Sequence, residues 1–125
     1  MKAFAIENLL DGQPVIAAVQ NPRTFKQALQ GKACGCILLK FGDLQTMESN
    51  IQIAHSCGKH VMVYLDSLNG IARDGSGVAY LASLGVEAAA TTKPQLLGTI
   101  ERAGLLAVQS MFVIDSTALS LGIES

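Results

Sequence analysis

The stretch His60-Val-Met-Val-Tyr-Leu-Asp66, an apolar run that ends in an acid, decides the class of fold. Side chains alternate between the two faces of a strand, so the two valines share one face with Leu65. Met62 and Tyr64 share the other face with Asp66. The first face is aliphatic and suited to packing on helices, while the second turns polar only at its carboxyl end. The pattern predicts a buried strand that delivers a carboxylate to the rim of an α/β sheet, where such proteins place their chemistry.

Four other apolar runs of strand length occur along the chain, separated by segments with helix-start residues at one end and glycine at the other. Because parallel strands need a crossover connection, this alternation predicts a mostly parallel sheet with right-handed connections. We expect a single α/β domain over residues 1–125. The strands are predicted near residues 15–19, 36–40, 60–66, 87–91 and 105–109.

Two architectures fit this succession of five βα units. One is a complete five-stranded, doubly wound, flavodoxin-like domain. The other is the first five units of a (βα)8 TIM-barrel fold. The last predicted helix would begin at Asp115 or Ser116, but Gly122 interrupts it and the sequence ends at Ser125. This short final helix favours the barrel.

Capping residues, proline and glycine predict where the other helices begin and end. The segment Asp74-Gly-Ser-Gly77 is glycine-rich and precedes a helix, so its free amides could bind an anion. It completes no phosphate-loop motif, however, and a flexible loop is the favoured interpretation. The helices are predicted between Asn21 and Gly31, Asp43 and Gly58, Val78 and Gly85, and Pro94 and Gly104.

The same alternation predicts one polar residue at the carboxyl end of each strand. This residue shares a face with the small or apolar residues that precede it at alternate positions. These residues could line one cavity, although a polar residue at a strand end is commonly just the first solvated position. Asp66 could act as a general base, bind a ligand hydroxyl or cap the next turn. Lys93 and Lys40 offer the positive charge that an anionic ligand needs. The candidate ligand-binding residues are Gln20, Lys40, Asp66, Thr91, Lys93 and Gln109.

Composition limits the possible partners. A net charge of −1 provides no general positive field, which argues mildly against nucleic acid. No apolar run approaches the roughly 20 residues of a membrane span. Three cysteines without a secretion signal fit a reducing cytoplasm. Cys34 and Cys36, with His55 and Cys57, have a poor spacing for zinc, so we expect no metal and no cofactor.

Four groups of residues, in compatible order from Val15 onward, carry a family resemblance. They are Val15-Ile-Ala-Ala-Val19, Tyr64-Leu-Asp66 with Gly70 and Asp74, Ala90-Thr-Thr-Lys93, and Gly104-Leu-Leu-Ala-Val-Gln109-Ser-Met-Phe-Val-Ile-Asp115-Ser116. With these segments the sequence resembles the glycerol-3-phosphate-responsive antiterminators, the cytoplasmic regulators of glycerol uptake operons. The last segment is the most specific.

The resemblance implies a (βα)8 barrel that senses glycerol 3-phosphate and, when loaded, binds a leader messenger RNA to prevent transcription termination. It implies a regulator and not an enzyme. Lys40 and Lys93 would then attract the phosphate end of the ligand, while Asp66 or Gln109 would meet its hydroxyl groups. The alternative is a TIM-barrel lyase or isomerase acting on a small phosphorylated substrate, with Asp66 as base and one of the lysines as electrophile.

The sequence departs from the family pattern in three places. Tyr64 stands where a histidine is common, Ser110 stands where an arginine is common, and the sequence stops after the fifth strand. Barrels commonly bind phosphate after strands seven and eight, so we expect a fragment, a truncated product or the ordered part of a longer protein. Five strands of a barrel would leave two open edges and an uncovered apolar face, which predicts a homo-oligomer.

Overall fold

The computed structural model describes residues 15–32 and 34–110. The strands are β1 (Val15–Val19), β2 (Cys34–Leu39), β3 (His60–Tyr64), β4 (Ala88–Thr91) and β5 (Leu106–Gln109). The helices are α1 (Pro22–Leu29), α2 (Met47–Ser56), α3 (Gly75–Ser83) and α4 (Leu97–Arg102), with 3₁₀ turns at Leu65–Ser67 and Pro94–Leu96. None of these helices is long and apolar enough to cross a membrane.

The strand order decides between the two predicted architectures. All five strands are parallel, and each pairs with the next in sequence, so the order is β1-β2-β3-β4-β5. A flavodoxin-like domain would instead have β2 at an edge with β1 between β2 and β3. The flavodoxin-like alternative is therefore wrong, and the sequential order is that of a TIM-type barrel.

The two faces of the sheet belong to different apolar clusters. Val61, Val63 and Leu65 pack in the cluster that contains the helix residues Ile51 and Leu81, which confirms the alternation predicted around β3. On the opposite face, called the inner face below, the side chains of β2, β3 and β4 are at most 7% exposed. The expected uncovered apolar face is therefore wrong for the central strands. The buried residues of the inner face are Cys36, Leu38, Met62, Tyr64, Ala88 and Ala90.

The third strand is shorter than predicted. It ends at Tyr64, and the chain then turns through the 3₁₀ segment Leu65–Ser67, so Asp66 lies just beyond the strand. The strand β2 begins at Cys34, two residues before the predicted start. The helix predicted to begin at Asp115 or Ser116 lies outside the described residues.

Asn21 and Asp74 cap helices, and of these two only Asn21 was predicted as a helix start. The predicted start of α2 at Asp43 is wrong, because α2 begins at Met47 after Thr46. Asn21 begins α1 with a capping box. The Asp74 Oδ1 atom accepts the amides of Ser76 and Gly77 at 3.0 and 3.1 Å, so α3 begins directly after Asp74, at Gly75. The flexible loop predicted for this segment is therefore wrong, because it is the first turn of a helix. Two of the amides expected to be free are occupied by the Asp74 carboxylate.

Glu87, which directly precedes β4, holds the amino-terminal end of β3. Its Oε1 lies 2.9 Å from the Val61 amide nitrogen and 3.0 Å from His55 Nε2. Its Oε2 lies 2.9 Å from His60 Nδ1. A carboxylate only accepts hydrogen bonds, so the amide and the two imidazoles are the donors. One side chain thus connects α2, β3 and the start of β4.

Candidate functional site

Asp66 lies in the turn after β3 and joins this turn to the carboxyl end of β4. Its Oδ1 accepts a hydrogen bond from the Thr91 hydroxyl at 2.7 Å. Its Oδ2 accepts from the Thr92 amide at 3.0 Å and from the Thr92 hydroxyl. The Thr91 hydroxyl oxygen in turn accepts the Lys93 amide at 3.1 Å. Asp66 therefore holds two loops together at the carboxyl rim, through bonds to the end of β4 and not as a cap of the next turn.

The carboxyl group of Asp66 is held in its ionised form. Partial burial acts to raise its pKa, but hydrogen bonds from Thr92 and Thr91 and the charge of Lys93 outweigh burial, so the pKa lies below its ordinary value. An ionised carboxylate repels a phosphate group. Asp66 is therefore suited to contact the uncharged part of a ligand and unsuited to hold a phosphate.

We expect part of the stability of the fold to disappear at acid pH through Asp66. Because its pKa is lower in the folded state than the unfolded value of about 3.9, the ionised group stabilises the fold above that pH. This contribution is lost as the pH falls through the folded-state pKa. Asp66→Asn should lower the stability at pH 7 and lose less stability than the wild type below about pH 4. Urea unfolding of both proteins across this pH range measures the difference in stability. An unchanged pH dependence in the variant would contradict the lowered pKa of Asp66.

Tyr64 reaches the same carboxylate from the inner face of β3. Its side chain is buried, and burial together with the charge of Asp66 raises the pKa of its hydroxyl. Tyr64 therefore keeps its proton and adds a hydroxyl group to the rim.

Arg73 holds the turn after β3 from another direction. Its Nη2 donates to the Asp66 carbonyl at 2.7 Å, and its Nε donates to the Leu65 carbonyl at 3.3 Å. No sequence pattern singled out Arg73, because its partners are backbone carbonyls, which every residue possesses. The guanidinium fixes the backbone that carries Asp66 and brings a positive charge close to the rim.

By the alternation along β4 and β5, Thr91 and Gln109 belong to the outer face of the sheet and not, as predicted, to the inner face. The inner face continues through Thr92 after β4 and through Ser110 after β5. Thr91 is instead buried at the rim against Asp66, and Gln109 is exposed. The sequence misled here because β4 has alanines on both faces, so its apolar residues do not show which face is inward. The inner-facing residues of these two strands are Ala88, Ala90, Leu106 and Val108.

The remaining predicted residues differ in how closely they approach this group. Lys93 is adjacent, since its amide donates to the Thr91 hydroxyl, which in turn donates to Asp66. Lys40 continues the alternation of the inner face of β2. Its backbone carbonyl accepts a hydrogen bond at 2.9 Å from the hydroxyl of Ser67, which lies in the turn after β3. Gln20 is exposed. Within residues 15–32 and 34–110, no hydrogen bond joins the side chain of Gln20 or Gln109 to the group around Asp66.

Ser110 is a rim residue that was not among the predicted site residues. Its amide donates to the Thr91 carbonyl at 3.0 Å, so it directly extends β5 beside β4. The residue is 4% exposed, and its Oγ has no hydrogen-bond partner in the part of the chain that the structure describes. A buried hydroxyl without a partner is uncommon in native structures. Counting alternate residues along the inner face of β5 would have identified Ser110 from the sequence.

Sequential parallel strands with polar groups gathered at their carboxyl ends define a TIM-barrel-type α/β protein. The model of the glycerol-3-phosphate responsive antiterminator family matches residues 15–125. The chain therefore belongs to this family, which confirms the family predicted from the sequence. No curated protein matches the chain.

Two solved structures have a similar fold. A glycerol uptake operon antiterminator-related protein from Thermotoga maritima MSB8 is 24% identical, with a TM-score of 0.70, and the match covers 90% of this chain and 63% of that one. A glycerol uptake operon antiterminator regulatory protein from Listeria monocytogenes str. 4b F2365 is 21% identical, with a TM-score of 0.74, over 90% of this chain and 61% of that one. The chain therefore spans about three-fifths of the length of these two proteins.

Proposed function

We propose that the protein is a glycerol-3-phosphate-sensing, RNA-binding transcription antiterminator that regulates genes of glycerol uptake and metabolism in the cytoplasm. The observation that carries the proposal is the family match over residues 15–125. The names of both solved relatives in fold refer to glycerol uptake operon antitermination. The ligand would be glycerol 3-phosphate or a similar small phosphorylated molecule. The RNA partner would be the leader messenger RNA of a glycerol operon.

The charges at the rim support a ligand with one phosphate end and one hydroxyl end. Lys40 follows β2 and Lys93 follows β4, so two cations flank Asp66, which follows the strand between them. Because the ionised Asp66 repels phosphate, we assign the phosphate to the lysines and the hydroxyl groups to the neighbourhood of Asp66 and Thr91. Gln20 and Gln109 are proposed as outer contacts, since both are exposed at the ends of the edge strands.

The surroundings of Asp66 support a regulator rather than an enzyme. A general base is most effective when its pKa lies near the working pH, whereas the pKa of Asp66 lies below its ordinary value despite burial. Both carboxylate oxygens already accept hydrogen bonds, from Thr91 and from Thr92. These features disfavour the alternative lyase or isomerase, in which Asp66 would remove a proton from the substrate.

A mobility shift assay with the leader RNA of a glycerol uptake operon tests the proposal. We expect the full chain to shift the RNA more strongly with glycerol 3-phosphate than with glycerol or inorganic phosphate. Lys93→Ala should weaken the response to the ligand because it removes a cation from the phosphate end. Lys32→Ala is the matched control, since Lys32 is exposed and precedes β2 at the opposite end of the sheet. No ligand-dependent shift by the wild-type chain would overturn the proposal.

We also propose that the chain forms a homo-oligomer. Among the described strands, β1 and β5 are the two edges of the sheet. The unpaired backbone groups of an edge strand favour pairing with another chain. Sedimentation equilibrium of the full chain measures the oligomeric state, and a monomer at high concentration would contradict this part of the proposal.

A further inference from the structure

The Ser110 hydroxyl is a buried polar group without a hydrogen-bond partner among residues 15–32 and 34–110. The residue is 4% exposed, and its Oγ makes no hydrogen bond to any described residue. Burying a hydroxyl without a hydrogen bond is unfavourable, so a serine at such a position costs stability that alanine would not. A serine with a purely structural role would have a partner, as Ser67 and Ser83 do. The missing partner is therefore a sign that Ser110 serves a bound molecule.

The neighbours of Ser110 indicate which kind of molecule it would contact. The pairing of Thr91 with Gln109 places Ser110 beside Thr92, on adjacent strands about 4.8 Å apart. The Thr92 hydroxyl donates to Asp66, which also accepts the Thr91 hydroxyl at 2.7 Å. This part of the rim is thus one carboxylate surrounded by hydroxyl groups.

The chemistry of this group favours an alcohol and disfavours a phosphate. A hydroxyl group of serine can both donate and accept, so it pairs well with the hydroxyl group of a polyol. The negative charge of Asp66 excludes a second anion from the same place. The phosphate end of a ligand would therefore lie toward the lysines, and Ser110 would contact the uncharged end.

We propose that Ser110 is a ligand-contacting residue that determines specificity for the hydroxyl end of glycerol 3-phosphate, with its Oγ hydrogen-bonded to a ligand hydroxyl. This inference rests on the proposed ligand and goes beyond it by assigning the residue that distinguishes a polyol phosphate from a plain alkyl phosphate. A site built to hydrogen-bond a hydroxyl discriminates against ligands that lack it, because its own polar group is then left unpaired.

Calorimetric titration of the full chain with two probes tests the inference. Glycerol 3-phosphate carries two free hydroxyl groups, and propyl phosphate carries the same phosphate with none. The wild type should prefer glycerol 3-phosphate, and Ser110→Ala should reduce this preference by about tenfold by weakening only the binding of glycerol 3-phosphate. Ser83→Ala is the matched control, since the Ser83 hydroxyl donates to the Tyr80 carbonyl on α3, away from the rim. It should leave the preference unchanged.

Urea unfolding without ligand supplies the second measurement. If Ser110 serves a ligand, Ser110→Ala should be at least as stable as the wild type, because the substitution removes an unpaired buried hydroxyl. Wild-type binding with an unchanged preference in Ser110→Ala, or a Ser110→Ala variant that is less stable without ligand, would overturn this inference and leave the proposed ligand intact. Absence of glycerol 3-phosphate binding by the wild type would overturn the proposed ligand and this inference together.

Discussion

Gly77→Ala is expected to lower the free energy of unfolding by about 3 kcal/mol, because the new methyl group has no space. Gly77 is buried in the first turn of α3, where the chain passes close to the loop before the helix. A Cβ atom at this position would lie 1.7 Å from the carbonyl oxygen of Ala72 and 2.7 Å from its carbonyl carbon. Both are backbone atoms, so the contact can be relieved only by moving the loop or the helix.

Gly75→Ala is the matched control for this effect. Gly75 lies in the same helical turn, but a Cβ atom there would meet nothing within 4 Å. Alanine reduces the conformational freedom of the unfolded chain, so this variant should be more stable than the wild type by about 0.5 kcal/mol. Urea unfolding of the three proteins gives the comparison. Equal stability of Gly77→Ala and Gly75→Ala would contradict the close approach of α3 to Ala72.

Glu87→Ala is expected to lower the free energy of unfolding by about 2 kcal/mol, because one carboxylate serves three donors. The Val61 amide would lose the side-chain acceptor that lies 2.9 Å away. The imidazoles of His55 and His60 would lose the same carboxylate. Glu87→Gln keeps one carbonyl oxygen, so its loss should be about half as large.

Glu101→Ala provides the control for Glu87→Ala. Glu101 is an exposed residue of α4, and substitutions at such positions usually change stability by less than about 0.5 kcal/mol. Thermal or urea unfolding at neutral pH measures all three variants. If Glu87→Ala lost no more stability than Glu101→Ala, the carboxylate would not be holding the start of β3.

Local sequence signals predicted much of the fold. The alternation around Tyr64 gave the correct faces of β3, because the inner and outer residues differ in kind. Asn21 was correctly predicted to begin a helix, since a side-chain oxygen that accepts helix amides is a property of the residue type. The sequential order of βα units left only two architectures, and the pairing of the strands decided between them.

The predictions failed where the sequence is ambiguous or the contact is distant. Three successive alanines in β4 gave no indication of the inner face, which is why Thr91 was assigned to the wrong phase. Gly75 and Gly77 suggested a flexible loop, whereas glycine is required at position 77 by a close backbone contact. The bonds from Thr91 and Thr92 to Asp66 span 25 and 26 residues, and no local spacing rule reaches that far.

The Ser110 hydroxyl shows a different limit of sequence reasoning. Its position after β5 can be counted from the sequence, but whether a buried hydroxyl has a partner depends on atoms from other strands. The resemblance to the antiterminator family identified Ser110 as a departure from a common arginine without saying what the serine does. Within the part of the chain that the structure describes, this serine is buried with an unpaired oxygen, which no residue pattern indicates.

The two carboxylates at opposite ends of β3 and β4 determine how these strands align. Alanine fits either face, so Ala88 to Ala90 would tolerate a displacement of β4 by two residues, roughly 7 Å, along β3. Such a displacement would separate Glu87 from the Val61 amide at one end and Asp66 from its threonine donors at the other. A misaligned sheet would therefore be less stable, because hydrogen bonds would be lost at both ends of the strand pair. At the centre of the sheet, these two polar side chains therefore favour one alignment of β4 that its alanines alone do not specify.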